Sequence, residues 1–408
     1  MRYGLLGRKL GHSHAPRIHR MFGLDDYRLF EVEPGAVEPF LRSGTPGGIN
    51  VTIPYKKVAF SCCDELSDTG RRIGNVNTLL FKDGKIHGDN TDYAGLSFMA
   101  RRAGIALKDR YIVILGSGGA AQTAALLAQD EGARHVVRIS RSGEDNYNNL
   151  ERHKGAQVII NATPVGMYPD NEGLPVSTEG FPRLQGVLDM VYNPLRTRLV
   201  LEAKSRGIAA AGGLSMLVEQ ARIASCLFQG KDIPPQETQR VLSILYHELE
   251  NIVLIGMPGA GKSVVGREIA RLLNRKFVDT DQLVLEKTGR PPADIIVSDG
   301  EEAFRHVETQ VLLAAARESG IVLSTGGGAV LRKENRTALR QTGRLYWLRR
   351  PLHMLAVTDR PLSRDFGALY KARKPIYRAA ADCEIDAAGP AREAARRIVE
   401  EFNEHTGD

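Results

Sequence analysis

Gly256-Met257-Pro258-Gly259-Ala260-Gly261-Lys262-Ser263 matches the spacing G-x-x-x-x-G-K-[ST]. The short β-branched run Asn251–Ile255 precedes it and a helical pattern to about Leu273 follows. Together these make a phosphate cradle: glycines let backbone N–H groups face an anion, and the helix N-terminus adds its positive end. Gly256, Gly259, Ala260, Gly261 and Val264 are therefore candidate ATP contacts, with Lys262 reaching the β- and γ-phosphates and Ser263 ligating Mg²⁺. The chemistry to expect is transfer of a γ-phosphoryl group to a small polar molecule.

Carboxylates and cations that serve such a transfer lie downstream. Lys276-Phe277-Val278-Asp279-Thr280-Asp281 reads as a second strand ending in two carboxylates. One suits magnesium and the other suits a departing hydroxyl proton, although Thr280 or Asp281 as a helix cap is the plainer alternative. Glu301, Arg305 and Glu308 share a helix face, where surface ion pairs are the simple reading. Ser324-Thr325-Gly326-Gly327-Gly328 follows another apolar strand, so backbone there can approach a ligand closely. Arg360 and Arg373 put cations late in the chain, where a lid would close on phosphate.

A second glycine-rich turn lies earlier. Gly116-Ser117-Gly118-Gly119-Ala120-Ala121 follows the strand-like Tyr111–Leu115 and fits the dinucleotide pattern G-x-G-x-x-G/A. The next strand, His135–Ile139, ends in Ser140-Arg141-Ser142, with no acidic residue for a ribose 2′-hydroxyl. Ser140 and Arg141 suit a 2′-phosphate, which favours NADP(H) over NAD, unless Arg141 is only a solvated loop residue. Three more segments each have a structural reading. In 50–56 a strand meets Pro54 and leaves Lys56 exposed, 74–78 turns into a strand, and Thr91 or Asp92 caps the apolar helix 93–103.

The elements that position these residues come in two sets. The strand, glycine turn and helix pattern occurs twice, which implies two nucleotide-binding units joined near residues 247–250, after a helix over about 235–248. A length of 408 residues fits two or three domains. Hydrophobic residues at 42% and charged residues at 25% are the balance of a soluble globular chain. Neither a membrane span nor a signal peptide is expected, and Cys62, Cys63, Cys226 and Cys383 have no metal-ligand spacing, which fits a reducing cytoplasm. The net charge of +7 raises nucleic acid as a partner, but no basic run or nucleic-acid motif accompanies it; phosphate- and carboxylate-bearing small molecules account for the excess.

In this order, residues 251–385 resemble shikimate kinase, of the nucleoside-monophosphate-kinase-like P-loop group. The resemblance implies that Asp281, Arg305, Gly327 and Arg373 hold shikimate, with both arginines on its carboxylate and Glu308 orienting Arg305. It also implies that Asp281 is the base, that Asp279 acts near magnesium, and that Arg360 stabilises the transferring phosphoryl group. Two departures bear on ATP binding. No Arg or Lys occurs over 353–359, where the family has a longer basic lid, and Arg378-Ala379-Ala380-Ala381 stands where it has a Glu.

Residues 3–248 resemble shikimate dehydrogenase. The resemblance rests on the segments just quoted together with Tyr3-Gly4-Leu5-Leu6-Gly7, His12-Ser13, Asn161-Ala162-Thr163-Pro164, Asp189-Met190-Val191-Tyr192-Asn193-Pro194 and Met216-Leu217-Val218-Glu219-Gln220. It implies that Lys56 and Asp92 are the catalytic pair and that Ser13, Thr52, Asn77 and Gln220 hold the substrate with Tyr192 close by. Gly116, Gly118, Gly119, Ala120, Ser140, Arg141, Asn161, Thr163 and Gly213 then serve NADP(H). Ala15 stands where the family has a second carboxylate-binding hydroxyl, so one hydrogen bond to 3-dehydroshikimate is missing. The fold expected is α/β throughout. A mixed, largely parallel substrate domain (1–92 and 213–247) accompanies a Rossmann NADP domain (93–212). A P-loop kinase domain (251–408) follows, with a parallel five-stranded sheet and a lid over 352–366.

Overall fold

The structure is a computed structural model and describes residues 2–11, 13–43, 46–355 and 366–405. The chain forms two compact units, Met1–Leu242 and Ser243–Asp408.

The first unit carries two sheets. The first contains β1 (Arg2–Gly7), β2 (Tyr27–Glu31), β3 (Pro46–Val51), β4 (Glu65–Leu66), β5 (Thr78–Lys82) and β6 (Lys85–Asp89), in the order β2-β1-β3-β5-β6-β4. It is mixed: β3, β5 and β6 pair antiparallel, and the other pairs are parallel. The reversal between β5 and β6 is the two-residue turn Asp83-Gly84, both with positive φ (53° and 73°), the conformation that matches strand twist in a tight hairpin. Strand β3 stops at Val51, short of the expected 50–56, and helix Lys56–Ser61 begins after Pro54, which has no N–H for the ladder. One face of this sheet packs Leu6, Ile49, Val51 and Leu79 on Leu41, Tyr55 and Ala59.

The second sheet contains β7 (Tyr111–Leu115), β8 (His135–Ile139), β9 (Val158–Asn161), β10 (Gly186–Asp189) and β11 (Ala209–Gly212). It is parallel throughout, in the order β11-β10-β9-β7-β8. Strand β7 is buried on both faces, which explains its unbroken apolar run: Ile112 and Ile114 join Leu96 and Leu127, while Val113 and Leu115 join Phe181 and Leu199. Helix Leu214–Gln229 then returns to the first sheet, where Phe228 lies so close to Gly48 that an added Cβ would sit 2.2 Å from its ring.

The second unit has one parallel sheet of β12 (Asn251–Ile255), β13 (Phe277–Asp279), β14 (Val322–Ser324), β15 (Gly343–Arg349) and β16 (Cys383–Asp386), in the order β13-β14-β12-β15-β16. Central β12 has neighbours reached in opposite directions, which opens a crevice at the strand C-termini. The boundary between the units falls inside helix Gln236–Leu249, earlier than the expected junction. The reason lies in its last turn: His247 stacks edge-on against Phe402 and hydrogen-bonds its carbonyl at 2.9 Å, while Arg275 donates to the His247 carbonyl. No helix among the described residues is long and apolar enough to cross a membrane.

Candidate active sites

In the first unit, Lys56 opens helix Lys56–Ser61 and Asp92 opens helix Asp92–Arg102. The fold closes their 36-residue separation to 2.5 Å between Nζ and Oδ2, with side chains 19% and 12% exposed. Lys56 is thus a held ammonium rather than an exposed lysine. Behind it lies a buried polar chain. Asn77 donates to Thr91 Oγ1 (3.1 Å) and accepts from the Thr91 N–H (2.8 Å), and Thr91 donates to Gln220 Oε1 (3.3 Å). Thr91 makes no side-chain capping bond, contrary to the expectation, because its hydroxyl is engaged by Asn77 and Gln220. Asn50 and Tyr27 extend the chain: Tyr27 donates to Asn50 (2.7 Å), which donates to Thr78 (3.0 Å).

Ser13 accepts from the Ala15 N–H at 3.2 Å, and Ala15 is buried where the helix Ala15–Met21 starts. The His14 and Tyr192 rings lie 6.2 Å apart edge-on, and burial raises the Tyr192 phenol. The fold brings Lys56 and Asp92 together and places the Asn77–Thr91–Gln220 chain next to Asp92 along the backbone, while Ser13, Thr52 and Tyr192 make no direct hydrogen bond to the pair among the described residues. His12 lies outside the described residues.

The dinucleotide turn follows β7. Gly116 has φ 118°, and a Cβ there would lie 3.1 Å from the Ala162 carbonyl, while Gly118 faces open space. Asn75 ties this turn to the first sheet: it donates to Gln122 (3.1 Å) and accepts from Asn90 (2.9 Å). Asn161 is fully buried and accepts from the Thr163 N–H (3.1 Å) and hydroxyl (2.7 Å). It donates in turn to Asp189 (2.9 Å), whose carboxyl burial pushes up to about 6. Gly213 sits where a Cβ would meet the Met190 carbonyl at 2.3 Å. Ala120 is half-buried in the turn, and Arg141 is exposed. The loop carrying Ser140 and Arg141 is pinned by a relay that sequence reasoning missed. Ser140 N–H donates to the Asp145 carbonyl (3.2 Å), and Asp145 meets His153 (2.9 Å), which meets the Tyr111 hydroxyl (2.5 Å).

In the second unit the phosphate loop follows β12. Gly256, Gly259 and Gly261 have φ of 141°, 78° and 91°, a region that favours glycine. Lys262 is buried, its ammonium donating to the carbonyls of Gly256 and Met257, both at 2.9 Å. Ala260 is buried, and Val264 is 63% exposed. Asp279 ends β13 and divides its oxygens. Oδ2 accepts from Ser263 (2.6 Å) and Oδ1 accepts from the Asp281 N–H (3.0 Å), which caps helix Thr280–Thr288. The cap is therefore Asp279, not Thr280 or Asp281. Asp281 lies on the first helical turn rather than at a strand end, because Thr280 points into the core and bonds the Gly326 N–H (2.8 Å).

Arg305 and Glu308 correct the expectation of surface pairing: they are 7% and 0% exposed. Arg305 donates to Glu308 (2.6 Å) and Glu301 (3.0 Å). Burial raises the Glu308 carboxyl despite the opposing Arg305 charge. The glycine turn after β14 fits between them. A Cβ on Gly326 would lie 2.2 Å from Glu308 and 3.4 Å from Asp281, one on Gly328 would lie 2.2 Å from Arg305, and one on Gly327 would strike Pro258 at 2.5 Å. Arg373 is buried and donates to the Gly327 carbonyl (3.2 Å), as does the Tyr377 hydroxyl. Asp281, Arg305, Gly327 and Arg373 thus surround one spot beside the phosphate loop. Arg360 and most of the expected lid fall outside the described residues; 352–354 form one short helical turn.

Comparison with known proteins follows the same division. The family model for the shikimate dehydrogenase substrate binding domain matches residues 5–79, and that for shikimate kinase matches residues 258–403. A shikimate dehydrogenase (NADP(+)) of Clostridium beijerinckii is 34% identical over 268 residues, covering 61% of this chain and 99% of that protein. One of Clostridium perfringens is 36% identical, with 61% and 98% covered. Among solved structures, a chorismate mutase/shikimate 5-dehydrogenase fusion from Clostridium acetobutylicum aligns with a TM-score of 0.57 at 34% identity, over 60% of this chain and 96% of that one. Shikimate 5-dehydrogenase from Thermus thermophilus, in complex with NADP(H) and shikimate, aligns at 0.54 and 30% identity, over 59% and 98%. The chain belongs to the shikimate dehydrogenase family through its first unit and carries a shikimate kinase domain in its second.

Proposed function

We propose that the chain is bifunctional: residues 1–92 with 213–247 and the NADP domain 93–212 reduce 3-dehydroshikimate to shikimate, and residues 251–408 phosphorylate shikimate at its 3-hydroxyl. One feature common to both units carries this reading. Each presents a cation to the substrate from a shielded carboxylate, Lys56 on Asp92 and Arg305 on Glu308. The four free cysteines fit a cytoplasmic enzyme.

NADPH supplies the hydride for the first reaction. The bare Gly116–Gly119 turn and the exposed Arg141 fit its pyrophosphate and 2′-phosphate. Lys56 donates a proton from Nζ to the C3 oxygen as that oxygen gains charge, and Asp92, 2.5 Å away, keeps the ammonium aimed. Asn77 and Gln220, rigid in their hydrogen-bonded chain, hold the ring hydroxyls, while Ser13, Thr52 and Tyr192 line the carboxylate side.

In the second reaction Asp281 accepts the 3-hydroxyl proton, and Arg305 and Arg373 hold the substrate carboxylate with the Gly327 backbone. Lys262 and Arg360 stabilise the transferring phosphoryl group. Ser263 and Asp279 fit Mg²⁺, being two oxygen donors 2.6 Å apart beside the phosphate loop. No cluster of three His, Cys, Asp or Glu among the described residues forms a metal cage, as suits an ion held largely by nucleotide and water.

A two-channel assay tests the proposal: NADPH loss with 3-dehydroshikimate, and ADP formation with shikimate and MgATP. Lys56→Ala should abolish the first and spare the second, and Lys262→Ala the reverse. A channel that survives its own substitution refutes the assignment of that unit.

A further inference from the structure

Arg350 follows the last residue of β15 and emerges beside the phosphate loop, which leaves the adjacent strand β12. The two strands run parallel with Ile255 opposite Trp347, so both chains exit the sheet side by side. A Cβ on Gly256 would lie 2.7 Å from the Leu348 carbonyl, and one on Gly261 would lie 3.5 Å from Arg350 Nη1. The guanidinium therefore rests against the loop at the residue preceding Lys262.

Its surroundings set it apart from the neighbouring arginines. Arg349 pairs with Glu384 at 2.9 Å, and Arg305 has both Glu301 and Glu308. Arg350 Nε is buried without a hydrogen-bond partner, and no carboxylate pairs with Arg350 among the described residues. A guanidinium is always charged and offers five donors, so a half-buried one whose Nε is shielded from water without an acceptor favours an anion beside it. The Lys262 ammonium and the loop's backbone N–H groups already favour an anion at this spot. From 353 to 359 the sequence holds no Arg or Lys, leaving Arg350 as the nearest cation before Arg360.

We propose that Arg350 binds the phosphate chain of the nucleotide, as a second cation on the phosphate loop beside Lys262. The inference rests on the kinase reading of the second unit. Charge-assisted hydrogen bonds from a guanidinium predict a loss of roughly ten- to a hundredfold in affinity on removal.

The test compares full-length wild type, Arg350→Gln and Arg350→Lys. ADP, AMP and adenosine binding is followed by fluorescence of Trp347, the single tryptophan, which lines the loop at Gly256. The KM values for MgATP and shikimate are measured alongside, with dehydrogenase turnover of the same preparation as a control for material and concentration. Arg350→Gln should raise the ADP Kd and the MgATP KM about ten- to a hundredfold. It should leave adenosine binding and the shikimate KM within about twofold, with Arg350→Lys intermediate. An unchanged ADP Kd, or equal weakening of ADP, adenosine and shikimate, overturns the proposal. Wild type that neither binds ADP nor turns over shikimate would instead overturn the kinase reading beneath it.

Discussion

Substituting Glu308 by Gln asks how Arg305 is held. The change preserves shape and removes one charge from a side chain that is fully buried. Arg305 loses its 2.6 Å ionic partner and keeps Glu301 at 3.0 Å, a carboxylate 46% exposed. Breaking a buried pair by removing one partner costs about 3–5 kcal/mol. The surviving hydrogen bond to a charged group, worth about 1.5–3 kcal/mol, offsets part of that, so a net loss of about 2 kcal/mol is expected. In binding terms this is about a thirtyfold rise in the KM for shikimate, because a guanidinium free to follow Glu301 outward no longer meets the substrate carboxylate. The kcat and the KM for MgATP should stay within about threefold. ADP release against shikimate concentration measures the first effect. Urea unfolding followed by Trp347 measures stability in the second unit alone, since that unit holds the only tryptophan. A shikimate KM unchanged within twofold, with stability lost, would make the pair a scaffold. A fall in kcat at constant KM would place Glu308 in the chemistry instead.

Gly326→Ala should act on the same pair from the other side. Its Cβ would lie 2.2 Å from Glu308, so the second unit should lose about 1–3 kcal/mol in urea unfolding and the shikimate KM should rise at least about tenfold, with dehydrogenase turnover intact. In the first unit, Ala15→Ser should lower the KM for 3-dehydroshikimate by about five- to a hundredfold with little change in kcat, restoring a hydrogen bond to a charged group. An unchanged KM would show that Ala15 does not face the carboxylate. Asp189 links stability to pH: its folded carboxyl titrates at about 6, above its ordinary 3.8, so its favourable contribution is full below about pH 4 and lost as pH rises through 6. Between pH 4 and 7, Asp189→Asn should therefore gain about 2 kcal/mol relative to wild type in denaturant unfolding followed by circular dichroism. A flat difference refutes this.

The strands that announce themselves by unbroken apolar runs, β7 and β12, lie where the sequence puts them, because a strand buried on both faces needs no partner to declare its pattern. The phosphate loop was legible for a related reason, since its chemistry is carried by consecutive backbone atoms. Roles decided by neighbours from elsewhere in the chain were not. Helix spacing puts Glu301, Arg305 and Glu308 on one face but cannot say that the turn at Gly326 and Gly328 covers it. Thr91 has the right type for a cap, yet Asn77 and Gln220, 14 and 129 residues away, claim its hydroxyl. Arg350 gave no signal at all, being one of two adjacent arginines told apart only by which of them finds a carboxylate.

The division of labour between the two oxygens of Asp279 makes its structural and chemical duties genetically separable. Asparagine caps a helix about as well as aspartate through its Oδ1, so Asp279→Asn leaves Thr280–Thr288 anchored. What it changes is the atom beside Ser263, where an amide replaces an anionic oxygen. Alanine at the same position removes both. The pair of substitutions, compared in one folded chain, therefore reads the charge at the magnesium position apart from the helix that carries Asp281, a separation that no single deletion at a one-job residue provides.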